Sequence, residues 1–155
     1  MSYRSATRSR FFLYLTVAFL AIAIAGFSTT LFIPLARGTF SAPPIIKIHG
    51  ALLFGWLLFL IAQTSLIQSK NVMTHRKIGW FGVFLCVAII ISGVLVGAFA
   101  TRRDLAVGGE SSLIGSFVNT VIEMILFGSL VGSAIFYRRT PETHKRLLVV
   151  ATISI

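Results

Sequence analysis

Long runs without a charged residue, recurring along the chain, constrain this sequence more than any other feature. A hydrocarbon core about 30 Å thick takes about 20 apolar residues to cross as a helix, and uncharged stretches of that order return again and again here. Only helices and closed barrels satisfy every backbone polar group inside a bilayer. A barrel strand alternates in polarity over about ten residues, whereas these runs are continuously apolar. The expected fold class is therefore all-α, a polytopic transmembrane helix bundle forming a single domain. Composition agrees, with 56% of the 155 residues hydrophobic and 12% charged, far less charge than a water-soluble domain carries.

Reading the runs in order gives spans at about 11–35, 45–68, 78–100 and 112–137. A further apolar stretch starts at Leu147. Its nine residues rise only about 14 Å as a helix, too little to cross. The expectation is four complete spans plus the start of a fifth, with the chain continuing beyond Ile155. The first run is too long for the apolar core of a cleaved signal peptide and reads as a retained anchor. Gly38, Pro43 and Pro44 mark the break after it, and proline suits the first turn of a helix. Lys70–Lys77 and Thr101–Glu110 read as polar links.

The net charge of +10 would suggest nucleic acid in a soluble protein. Here Lys and Arg sit almost entirely between the apolar runs, where they set topology and meet anionic headgroups, so no nucleic-acid partner is expected. The amino terminus and the second-to-third and fourth-to-fifth links hold ten of the 14 basic residues. The opposite side holds four: Arg37, Lys47, Arg102 and Arg103. That bias places the amino terminus in the cytoplasm. Gly93 and Gly97 on the third span, and Gly128 and Gly132 on the fourth, form Gly-x-x-x-Gly pairs suited to compact bundling or to self-association.

Ionisable groups in hydrocarbon are costly, which singles out Glu123. It lies about 16 Å inward from Ser112, near the midplane, with Asn119 one turn away and Ser116 close to the same stripe. Ser92, Thr29 and His49 fall at comparable depth on other spans, and together these residues make a candidate intramembrane polar site. His75 and His144 each precede a span and are each followed by bases, Arg76 and Lys77 in one case and Lys145 and Arg146 in the other. Those four bases read as a lipid-headgroup belt, with Trp80 and Tyr137 as interfacial anchors. The sharper reading makes His75 and His144, or His49 with an outside ligand, a b-type haem or metal site. The lone Cys86 builds neither a disulfide nor a thiolate metal centre. No catalytic constellation is visible. With four acidic residues in the chain, paired-carboxylate chemistry has little to work with.

The ordered set Arg10-Phe11-Phe12, Gly26-Phe27, His49-Gly50, Trp56, Gln63, His75-Arg76-x-x-Gly79-Trp80 and Pro141-Glu142-x-His144-Lys145-Arg146-Leu147 resembles a widespread family of uncharacterised bacterial multi-pass membrane proteins. The resemblance covers nearly the whole chain. It implies the bacterial inner membrane and further helices after Leu147, but no reaction. The expected function is a non-catalytic membrane component, an accessory or structural subunit of a larger complex with no cofactor of its own. The alternative is a haem- or metal-binding redox protein using the helix-end histidines. A transporter ranks third, because no broken helix with paired half-helix termini is visible in the sequence.

Overall fold

The computed structural model describes residues 3–106 and 112–155, with side chains over 10–106 and 115–155. The described elements are all helical: α1 (Tyr3–Gly26), a π-helical turn (Ser28–Phe32), α2 (Ile33–Ala36), α3 (Pro44–Gln68), α4 (Val72–Ala106), α5 (Ser112–Phe136) and α6 (Pro141–Ile153). Among the described residues three helices are long and apolar enough to cross a membrane: α3, α4 and the Gly115–Phe136 part of α5. The bent pair Arg10–Gly26 and Ser28–Ala36 makes a fourth if it is counted as one span. The 13 residues of α6 rise only about 20 Å, short of a crossing. The chain divides into two compact units, Met1–Leu85 and Cys86–Ile155, which are described in turn.

In the first unit, the stretch expected as one continuous first span is broken, with a bend of 53° between its halves. Pro34 supplies the physical cause. Lacking an N–H, it leaves the carbonyl of Thr30 without its usual partner, and a proline ring crowds the turn before it. The chain answers with a wider turn just upstream, in which the Phe32 amide reaches the Phe27 carbonyl five residues back at 3.1 Å, as π-bulges do at kinks. Ser28 Oγ donates to the Ala25 carbonyl at 2.7 Å, a back-bond that favours bending. The expected continuous helix over 11–35 is thereby corrected to a bent pair.

Both connections in this unit end their helix by the same device. Gly38 at φ +67° closes α2, with its amide on the Leu35 carbonyl and that of Thr39 on Pro34. Lys70 at φ +59° closes α3, its amide on Ile67 and that of Asn71 on Leu66. These paired bonds satisfy the orphan carbonyls of a helix end, and glycine is the residue that normally supplies the left-handed step. Asn71 then caps α4, its Oδ1 accepting from the Thr74 amide at 3.3 Å. The link expected over Lys70–Lys77 thus shrinks to a three-residue turn, and His75, Arg76 and Lys77 already lie on α4.

α1 and α3 pack antiparallel, since Thr16 meets Thr64, with hydroxyls 3.4 Å apart, while Phe27 and Phe32 set their edges on Phe54. Both threonines also return a hydroxyl hydrogen bond to their own helix. α3 and the start of α4 form a hairpin in which the Phe59 ring lies over Gly82. A Cβ there would come within 2.5 Å of that ring, so a larger residue would have to displace the Phe59 ring.

In the second unit, α4 runs on through Arg102, Arg103 and Asp104 to Ala106, residues expected in a loop; the remainder of that expected loop lies outside the described residues. α4 and α5 run antiparallel. A Cβ at Gly97 would meet Thr120 Cγ2 at 3.1 Å and the Phe117 ring at 3.3 Å, and one at Gly128 would meet Ile90 at 2.9 Å. Gly97 and Gly128 therefore seat neighbouring side chains within the chain, whereas Gly132 has open space beside it. Met124, Phe127, Val131 and Ala134, at coiled-coil spacing on α5, are all buried and form its packed stripe.

Candidate functional site

Halfway along the 25 residues of α5, Asn119 Nδ2 donates to Glu123 Oε1 at 2.8 Å. The i, i+4 spacing brings the two side chains together on one helix face. That face is flank rather than core: Asn119 and Glu123 are both exposed, as are Ile122 and Leu126 beside them. Ser116 is exposed one turn earlier. Polar hydrogen-bonding capacity in the middle of an apolar helix thus points away from the residues its own unit buries.

Of the other residues of the sequence-derived polar site, Ser92 lies in the same unit as this pair and His49 in the first. Ser92, on α4, is 5% exposed, and its hydroxyl donates to the Ile89 carbonyl at 3.1 Å. His49 stands half-buried on the first turns of α3, in the first unit.

The two rim histidines differ in what holds them. His144 Nδ1 lies 2.7 Å from the Ala134 carbonyl. A carbonyl only accepts, so Nδ1 carries the proton and the imidazole caps the end of α5. The reason is local. The Arg138 amide, which would ordinarily reach Ala134, bonds Ile135 instead, leaving the Ala134 oxygen among the orphan acceptors of the helix end. This leaves Nε2 as the ring's second polar atom, the arrangement in which a ligating histidine is oriented from behind by a carbonyl. His75, half-buried on the first turn of α4, has its amide on the Asn71 carbonyl at 3.1 Å. It belongs to the first unit and His144 to the second. Among the described residues no group of three or more His, Cys, Asp or Glu is arranged to hold a metal ion.

Of the four bases read as a headgroup belt, Lys145 is ion-paired with Glu142 at 2.7 Å, an i, i+3 pair on α6, and Arg146 is exposed. Arg76 and Lys77 are exposed on α4, beside Trp80.

One buried group escaped the sequence reading of the site. Gln63 on α3 is only 6% exposed, and neither atom of its amide has a hydrogen-bond partner among the described residues. Its place seven residues after the buried Trp56 was the available signal, since that spacing returns to the same helix face.

These features define the class: an all-helical membrane protein with three to four apolar helices fit to cross a bilayer. No protein-family model, curated protein or solved structure matches the chain.

Proposed function

We propose that the chain is a non-catalytic integral membrane protein of the bacterial inner (cytoplasmic) membrane. In this reading it is an accessory subunit that docks through the Asn119–Glu123 face of α5 against another membrane subunit or a second copy. The observation that carries this is the exposure of a hydrogen-bonded carboxyl and amide halfway along α5. Intramembrane polar groups turned toward lipid are costly, and those that persist face protein or a wet cavity. Interhelical hydrogen bonds of this kind are worth about 0.6–2 kcal/mol in a bilayer. The ten-to-four distribution of Lys and Arg supports a cytoplasmic amino terminus within this reading. Kinship with multi-pass proteins sharing the helix-start His-Arg-x-x-Gly and His-Lys-Arg-Leu segments belongs to the same proposal.

A photo-crosslinking side chain at Ile122 or Leu126 tests the docking face in intact membranes. Crosslinks to one defined membrane polypeptide, or to a second copy, are expected, and Glu123→Leu should cut their yield several-fold. Glu123→Gln retains an acceptor for Asn119 and should preserve most of it. Adducts to lipid alone would sink the proposal.

The His144 geometry favours a second reading, a b-type haem held through a histidine Nε2. A purified sample decides it by absorbance. A Soret band that disappears in His144→Ala would establish that reading and displace the first, whereas a colourless preparation from haem-replete cells would end it.

A further inference from the structure

The first unit holds eight Lys and Arg residues and not one Asp or Glu. No carboxylate of that unit balances Arg76 or Lys77, whereas on α6 Lys145 has Glu142. Arg76 and Lys77 also line an open, shallow surface region with Val72, Met73 and Trp80. Those positions, spaced by one, four, five and eight residues from the first, share one face of α4. The apolar members are open to the surroundings, Met73 at 69% and Trp80 at 65%, and Phe84, one turn further along, is 72% exposed.

The face is graded along the helix axis. Two cations stand at its start, an indole follows one turn on, and an aromatic ring lies about 12 Å from Arg76. Indoles settle at the headgroup level of a bilayer, and basic side chains near the surface attract anionic headgroups at about 1 kcal/mol each. An anionic phospholipid has the same order of chemistry: phosphate, ester-linked glycerol, then acyl chain. The geometry points to a site for one anionic phospholipid here, with its phosphate between Arg76 and Lys77, its glycerol at Trp80 and an acyl chain passing Phe84. The site is distinct from a diffuse basic rim, because the two cations and the exposed apolar side chains share one face of α4 in axial order. It rests on α4 crossing the bilayer and not on the docking face of α5, so crosslinking at Ile122 and the lipid experiment fail independently.

Trp80 supplies the probe. The full chain is placed in phosphatidylcholine vesicles doped with brominated phosphatidylglycerol or, at the same mole fraction, brominated phosphatidylcholine, and tryptophan fluorescence is read. Trp56, at 2% exposure, is shielded, and Trp80→Phe gives its residual signal. Two cations correspond to a preference for the anionic lipid of about thirtyfold. The variant with both Arg76→Gln and Lys77→Gln should lose that preference while keeping its quenching by brominated phosphatidylcholine, which shows that it is still inserted. Lys145→Gln with Arg146→Gln should leave the preference intact. Equal quenching by both lipids in the wild type, or a preference that survives the double change on α4, overturns the site. Loss of the preference on adding millimolar inorganic phosphate, against chloride at equal ionic strength, overturns the lipid as occupant and assigns the cations to a soluble phosphate compound.

Discussion

Phe127→Ala is expected to destabilise the protein by about 2.4 kcal/mol. Phe127 is completely buried, on the α5 stripe shared with Met124, Val131 and Ala134, and Ile89 on α4 is equally inaccessible. Truncation in a soluble core costs both a transfer term and a cavity term. In a bilayer the transfer term shrinks, because lipid tails are as apolar as the side chain itself, and van der Waals packing supplies the stability. A residual cavity on the order of 100 Å³, at about 24 cal/mol per Å³, leaves about 2.4 kcal/mol. Reversible unfolding in mixed micelles, titrated with a denaturing detergent, measures it. A loss below about 0.5 kcal/mol, the usual size for surface changes, would mean that the stripe is not packed. Ile125→Ala, exposed on α5 away from the Asn119–Glu123 face, is the matched control and should fall within that smaller range.

Gln63→Met is expected to act in the opposite direction and stabilise the fold by about 1–3 kcal/mol, the cost of leaving a buried polar group without a partner. The Gln63 amide is buried on α3, with no partner among the described residues for its nitrogen or its oxygen. Methionine keeps the unbranched shape and removes both polar atoms, so little repacking is needed. Thr64, the next residue, is the contrasting case. Its hydroxyl bonds the Leu60 carbonyl and faces that of Thr16, so Thr64→Val removes satisfied bonds and should not stabilise. The same titration reads both. Destabilisation by Gln63→Met would show that the amide is hydrogen-bonded in the folded protein, and the stability expectation would fall.

The two rim histidines show where sequence patterning stops short. Placing His75 and His144 before apolar runs needs only counting. Their roles do not follow from it, because the Ala134 carbonyl becomes an acceptor for His144 only once the chain has turned at Tyr137–Thr140 and brought α6 back to the end of α5. Gln63 behaves likewise. Glutamine near the end of an apolar helix reads as interfacial, and its burial depends on neighbours that no local spacing specifies.

The sequence by itself determined that the chain is helical and built to lie in a bilayer, because an uncharged run of span length has no other way to satisfy its backbone in hydrocarbon. It also determined that Asn119 and Glu123 share a face, since i, i+4 is a property of one helix. The tertiary structure alone decided how far the helices extend and which faces they bury. α4 continues to 35 residues because the apolar run measures bilayer thickness, while the backbone bonds that define a helix persist into the polar margin. The bend after Gly26 arose from the response of the turn to Pro34, where a π-turn was one of several ways to meet a missing hydrogen bond. Gly97 and Gly128 acquired neighbours within the chain while Gly132 did not, for close approach belongs to a pair of helices and not to a motif on one of them.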